Sequence, residues 1–345
     1  MRKKERGIAL LLTLMVLAIL IVLIAQMAVT SLNTRTISEN YLHDLQNTYG
    51  NRSGYYQALL YLEADMEKKP EVDSLDEKWA SEISFPLTTA TVNVSIEDSE
   101  RRINLSRINN DDEKNTVNEK IAEQFRQLLL VLGHPADIAD RVIDYIDTDT
   151  KGDYESGAKN DRLYTLEELL QIEGLPSESL YGGKLGGINV SGFLDFVTIH
   201  PRNLEEGESA GKININTAPS AVLQSLHEDI TPLIADEIHQ YRSMATEDNS
   251  FQSFESPADL KNVASMTDEI FNEISDQITV NATHFEIRVQ SRFRNLTKKW
   301  LYVVKRAKQG EGERTGEEQE NLTLVFSQKM SDFLAIEPPE GEEEE

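Results

Sequence analysis

MRKKERGIALLLTLMVLAILIVLIA, Met1 to Ala25, places four basic residues (Arg2, Lys3, Lys4, Arg6) in its first seven positions and then runs apolar from Ile8 to Ala25. At about 1.5 Å per residue the apolar run reaches about 27 Å, and with Met27 to Val29 it suffices to cross a bilayer. The cations precede the span and the next charge is Arg35, so the short N-terminus is expected in the cytoplasm and the rest outside. A removable signal peptide is the competing reading. Against it stand the length of the run, the lack of a good small-x-small site behind it, and a polar-to-apolar switch at Gly7-Ile8 instead of after the span.

The helical pattern continues past the membrane. Leu42, Leu45, Tyr49, Tyr56, Leu59 and Leu60 recur at three- and four-residue steps, and the first proline is Pro70. The spacing predicts one helix from about Ile8 to Lys68, on the order of 90 Å long, apolar all round at first and amphipathic later. The amphipathic half needs a surface to pack on. Thr91 to Ile96 (TVNVSI) alternates like a strand, and Arg102 to Ile108 is expected to follow as a second; far downstream Phe285 to Phe293 and Trp300 to Val304 form another pair. A lone hairpin is marginal in water, so the economical arrangement is one antiparallel sheet built from both pairs and laid on the helix. Everything between about Asn110 and Val280 is then an insertion.

That insertion repeats itself. Ile138 to Tyr145 reads I-A-D-x-V-x-x-Y and Ile234 to Tyr241 reads I-A-D-x-I-x-x-Y, each behind an apolar helix and a proline-bearing turn (Pro135, Pro232). Leucine-rich segments, Leu166 to Leu169 and Pro257 to Leu260, follow each copy. Two helix-hairpin-helix units are the reading.

Leader, element order and two motifs together resemble the type II secretion minor pseudopilin K family, also called general secretion pathway protein K. Gly7 matches the family's leader glycine, Asp144, Asp147 and Asp149 its acidic stretch, and Ile213 to Pro219 its I-N-x-N-T-A-P segment. The resemblance implies an α+β fold: a pilin-like long N-terminal helix packed on an antiparallel sheet, with a large inserted α-helical domain of two helix-hairpin-helix (SAM-like) units. The expected divisions are a prepilin-type leader (1–7) and a helix over 8–70 that spans the membrane at 8–29. The sheet takes 71–110 and 281–306, the inserted units 111–211 (with the acidic loop) and 212–280, and an acidic mobile tail with an edge strand near Leu322 to Phe326 takes 307–345.

The same resemblance implies cleavage between Gly7 and Ile8 by a prepilin peptidase, N-methylation, and a single-pass protein of the bacterial inner membrane with its head in the periplasm. Its function would be that of a minor pseudopilin at the tip of the type II secretion pseudopilus, helping to initiate assembly and export across the outer membrane. Partners implied are I- and J-type minor pseudopilins, the major pseudopilin and the inner-membrane assembly platform. Leu12, fifth from Ile8, stands where major pseudopilins carry Glu.

Asp147, Asp149, Asp153 and Glu155, with Gly152 between them, approach the spacing of an EF-hand loop and are candidate calcium ligands. Lys151 and Ala158 depart from that pattern, and a solvated acidic turn is the alternative. In the I-N-x-N-T-A-P segment, Asn216, Thr217 and Pro219 are expected to cap the helix that follows. A similar segment opens DNA-binding helix-hairpin-helix modules, which makes a membrane-anchored DNA-uptake protein the main competing function. The net charge of −26 and the hairpin residues His227-Glu228-Asp229 argue against holding phosphate. The sequence contains no G-x-S-x-G, H-E-x-x-H or G-x-x-x-x-G-K-[ST], and no cysteine for a thiolate site, so the reading is non-enzymatic with no cofactor beyond calcium.

Overall fold

The computed structural model describes residues 2–68, 71–87, 90–109, 117–148, 151–202, 211–245, 251–294, 296–307 and 321–330, without the side chains of 2–7 and 9. Helix α1, Arg2–Met66, is one unbroken rod of 65 residues. Its apolar first half exposes every apolar side chain from Leu10 onward; in its second half Asn47, Asn51, Ala58 and Leu62 turn inward and are buried.

That inward face lies on a sheet of β1 (Ile83–Leu87) and β2 (Ala90–Asp98), completed by three strands from the far end of the chain. After them come β3 (Ile103–Asn104), α2 (Glu119–Val131), α3 (Ala136–Ile146), α4 (Ser177–Tyr181), the hairpin β4 (Gly183–Leu185) and β5 (Ile188–Val190), and β6 (Val197–Thr198). The second half of the insertion comprises β7 (Ile213–Asn214), α5 (Ser220–Gln224), α6 (Pro232–Arg242), α7 (Asp268–Ile274) and β8 (Ile278–Thr279). The chain then returns to the sheet as β9 (His284–Phe293), β10 (Leu296–Arg306) and β11 (Leu322–Met330). The sheet order is β1-β2-β9-β10-β11, antiparallel throughout, with Val94 opposite Val289 and Ile96 opposite Ile287. The alternation in β2 buries Val92, Val94 and Ile96 against α1 as a half-buried strand should.

Two glycines let the helix approach. A Cβ on Gly54 would sit 2.4 Å from Val289 Cγ1, and one on Gly50 2.2 Å from Ser291 Oγ, so any larger residue forces helix and sheet apart. Beside them Asn47 Nδ2 donates to the Leu296 carbonyl at 3.0 Å and Asn51 Nδ2 to the Lys298 carbonyl at 3.3 Å. Asn47 and Asn51 thereby tie the helix to the backbone of β10.

The insertion is two variations on one plan. Each half opens with an Ile-Asn strand and closes with a parallel strand against it, Ile103 beside Val197 and Ile213 beside Ile278. Between these lie a helix pair, a 3-10 turn opened by a reciprocal cap (Thr165 with Glu168; Ser256 with Asp259), and a short helix. The first hairpin turns at Gly133, whose φ of 84° is the left-handed conformation glycine adopts without strain. Both halves share one apolar core, in which Phe125 meets Phe193 edge-on at 5.6 Å and Tyr241 stacks on Phe254 at 4.5 Å.

Two expectations are corrected. Arg102 to Ile108 is not the hairpin partner of β2; Ile83–Leu87 is. Residues 99–107 instead form two 3-10 turns around the two-residue β3, because Asp98 and Asn104 side chains accept the backbone N–H groups of Glu100 and Ser106 and so offer the chain turns in place of a ladder. The leader and the span are one helix, starting at Arg2 and ending at Met66, before Lys68. Of the tail, Leu322–Met330 is an edge strand on β10, longer than Leu322 to Phe326; residues 308–320 and 331–345, expected to be mobile, lie outside the described residues.

Candidate functional site: the apolar helix, the acidic loop and their junctions

Gly7 and Ile8 lie inside α1, where Ile8 is 62% and Leu12 55% exposed. The helix from Leu10 reaches a mean hydropathy of 2.9 over its most apolar stretch and buries none of it within the chain. A surface of this kind, with no apolar partner inside the molecule, suits lipid or other helices; the helix is a candidate membrane anchor.

The acidic loop leaves α3 at Asp147, whose N–H still closes the last turn on the Ile143 carbonyl at 2.8 Å. Asn109 clips its first residues: its Nδ2 donates to the Ile146 carbonyl and its Oδ1 accepts the Thr148 N–H. Asp144, on the last turn of α3, accepts the Tyr154 N–H at 2.9 Å, and a Cβ on Gly152 would fall 2.2 Å from that carboxylate. Gly152 is therefore needed for the loop to cross Asp144, a role its place in an EF-hand-like count did not show. The return is made at Asn160, whose N–H bonds the Tyr145 carbonyl and whose Nδ2 donates to Glu155 Oε2.

Of the four proposed ligands, Asp147 is buried, Glu155 half-buried and Asp153 exposed, while Asp149 lies outside the described residues. Among the described residues the loop brings no three carboxylates together as a cation cage. It does leave buried oxygens without a donor at Glu155 Oε1 and Thr148 Oγ1. These oxygens are hard donors of the kind calcium takes, but Asp147, Asp153 and Glu155 do not converge on one point.

The Asn-Thr-Ala-Pro segment does something other than cap. The N-cap of α5 is Pro219, with no side-chain hydrogen bond to the helix. Thr217 Oγ1 donates instead to Asp98 Oδ2 at 2.6 Å, and Asn214 Nδ2 donates to the same oxygen at 2.8 Å. Asn216 pairs both ways with the Phe254 backbone, at 2.9 and 3.0 Å. Thr217, with Asn214, thus clamps the second helical unit to the end of β2, Asn216 ties the segment to Phe254 of its own unit, and of the expected cap residues Pro219 alone stands at the cap. Burial pushes the Asp98 carboxyl well up, and the neighbouring Glu100 carboxylate adds to that, while the Thr217 hydroxyl favours the charged form.

A second weld joins the first unit to β9. Thr198 Oγ1 donates to the buried Glu286 at 2.6 Å, and Glu286 in turn pairs with Arg102 at 3.0 Å and Arg288 at 2.7 Å. Burial opposes the charge of Glu97 next to them, but the Arg102 and Arg288 guanidiniums outweigh it and hold that carboxyl at about 2. At the sheet edge Phe326 of β11 lies between His200, ring centroids 4.5 Å apart, and the Arg202 guanidinium at 4.8 Å. Burial pushes the His200 imidazole down to about 4, so it stacks as a neutral ring. No sequence pattern signals these partners, which sit on turns and edges far apart along the chain.

Comparison with known proteins places this geometry. A helix-hairpin-helix motif model matches residues 208–279. Type II secretion system protein K of Pseudomonas aeruginosa is 29% identical over 243 residues, 66% of this chain and 70% of that protein. The putative type II secretion system protein K of Escherichia coli K12 is 24% identical over 200 residues, 52% of this chain and 61% of its own length. Among solved structures, the crystal structure of the GspK-GspI-GspJ complex from the type 2 secretion system of enterotoxigenic Escherichia coli contains a chain that matches with a TM-score of 0.62 at 17% identity. The match covers 86% of this chain and 99% of that one. The fold is that of the matched chain, long helix, antiparallel sheet and helix-hairpin-helix insertion alike, and in sequence the chain is similar to the curated type II secretion system protein K.

Proposed function

We propose that this chain, similar in sequence to type II secretion system protein K, is a minor pseudopilin: a non-enzymatic subunit, anchored in the inner membrane by α1 with its head in the periplasm, that caps the secretion pseudopilus and helps start its assembly. The observation that carries the reading is the pairing of an exposed apolar helix of pilin type with a head whose whole architecture matches a chain solved together with GspI and GspJ. By that likeness its partners are I- and J-type minor pseudopilins, with the major pseudopilin and the assembly platform beyond them. The DNA-uptake alternative gains no support from the second hairpin, where His227 binds Glu273 at 2.6 Å and the flanking Glu228 and Asp229 are acidic.

Processing tests the reading. A prepilin peptidase would cut before Ile8 and leave the anchor intact, whereas a signal peptidase would remove it. Mass spectrometry of the membrane-extracted protein is expected to find an N-methylated chain beginning at Ile8; one beginning after Ala25 or Ala28 sinks the proposal.

A further inference from the structure

Helix α1 ends at Met66, and the chain turns back beneath it through residues 71–77. There Asp65, Asp73 and Glu77 offer carboxylate oxygens that all lie within 4.8 Å of one another. Arg306 of β10 answers one of the three. Its guanidinium grips both oxygens of Asp73, Nη1 to Oδ1 at 2.8 Å, and also donates to the Ala282 carbonyl, while the Ala282 N–H donates to Asp73 at 2.6 Å.

Asp65 and Glu77 have no such answer. Asp65 Oδ2 is buried without a donor, and Glu77 is met by neutral groups, the Trp79 indole N–H at 2.5 Å and the Ser74 hydroxyl at 3.5 Å. Lys68, just past the helix, and Arg306 act on the Asp65 carboxylate as charges and do not hydrogen-bond it, the Lys68 N–H going instead to the Asp65 carbonyl at 2.8 Å. From the strand side Asp98 and Glu100 add negative charge near Asp73 and Arg306, and His284 is engaged by Glu100. Two half-buried carboxyls whose oxygens come within 4.8 Å of each other cannot both ionise without mutual repulsion.

We propose that Asp65 and Glu77 share one proton, and that this proton, above the Asp73–Arg306 pair, clasps the end of the membrane helix to the head. Its loss sets two like charges against each other where the helix meets the loop, so the joint is tight under acid and slack under alkali. Burial first, then the neighbouring carboxylates, push Asp65 up to about 6 and Glu77 up to about 8. Carboxyls raised in the folded state contribute fully below their unfolded values near pH 4, and that contribution drains away as pH climbs through the two folded values. The first proton therefore leaves near pH 6 and the shared one near pH 8, where the clasp opens.

Trp79 gives a direct readout, because its indole is bonded to Glu77 and the chain has just one other tryptophan. In the full-length chain in detergent, carrying Trp300→Phe, Trp79 emission is expected to titrate with a midpoint near pH 8. The melting temperature should fall by about 4 °C from pH 6 to pH 9. Glu77→Gln should remove both changes; if that variant does not fold, Asp65→Asn should move the midpoint down toward the ordinary Glu range. Emission that stays flat from pH 5.5 to 9.5, or a titration that survives Glu77→Gln, overturns the proposal. So does a gain in melting temperature at pH 9 from millimolar calcium or magnesium that Glu77→Gln abolishes, since the triad would then hold a cation.

Discussion

Asp147 and Thr217 show two ways in which a residue read from sequence meets its surroundings. For Asp147 the structure gives the surroundings and leaves the ligand role a proposal: a buried carboxylate at the mouth of a loop with buried oxygens at Thr148 and Glu155 that lack donors. If calcium sits there it binds the folded loop alone, and at a hundredfold excess over Kd it adds about 2.7 kcal/mol of stability. Millimolar calcium is expected to raise the melting temperature relative to a chelator, and Asp147→Ala with Asp149→Ala to cancel the rise. An unmutated chain that melts identically with and without calcium leaves the loop a solvated turn. Thr217 is the opposite case. Capping and clamping use the same hydroxyl, and the acceptor that claims it, Asp98, is distant in sequence, so a reading of neighbours could find the residue but not its role.

At the level of elements, the strands that alternated cleanly were legible and the ones that were not failed for physical reasons. Val92, Val94 and Ile96 announce β2. Its partner β1 holds Pro86, which weakens a strand signal yet is tolerated on an edge, where β1 lies. Long-range closeness was equally hidden: nothing in a helical pattern reveals that Gly50 and Gly54 face a sheet. The prediction at this scale follows from those glycines. Gly54→Leu must displace Val289 and Val92, and overpacking of this kind costs roughly 1–3 kcal/mol. Urea unfolding should show that loss; a change below about 0.5 kcal/mol would mean α1 does not dock as described.

For the molecule as a whole, shape and a missing charge agree. A filament of pilin-type subunits buries charged N-terminal amines, each of which needs a carboxylate from its neighbour to offset the burial. Leu12, fifth from Ile8, offers none to a subunit above it. The insertion between β3 and β8 adds bulk that a tightly packed shaft could not repeat. Gold labels on the head are expected at one end of the pseudopilus, a few per filament; labels spread evenly along its length would falsify the placement. The overall architecture was readable because the apolar span, the alternating β2, the downstream pair β9 and β10 and the I-A-D repeat lie in separate stretches of the chain, whereas Arg102 to Ile108 was misread as a strand of the sheet. The welds that join sheet to insertion, Asp98 with Asn214 and Thr217, and Glu286 with Thr198, were not, since each bridges segments with no pattern in common.

The place of β2 beside β9 also sets an order of events during synthesis. Asp98 is held opposite Phe285, so β2 leaves the ribosome long before the strand that covers its inner edge exists. The insertion need not wait, because both of its parallel closures, Ile103 on Val197 and Ile213 on Ile278, are made from its own residues. Pairings that close shorter stretches of chain cost less entropy than those between more distant segments, so the β2–β9 pairing, which spans the whole insertion, is expected to form after the closures within it. A newborn subunit whose insertion fails keeps an open strand edge at β2, the kind of surface that holdases and proteases recognise. The long helix is thus given a finished sheet to rest on only when the head it must carry is complete.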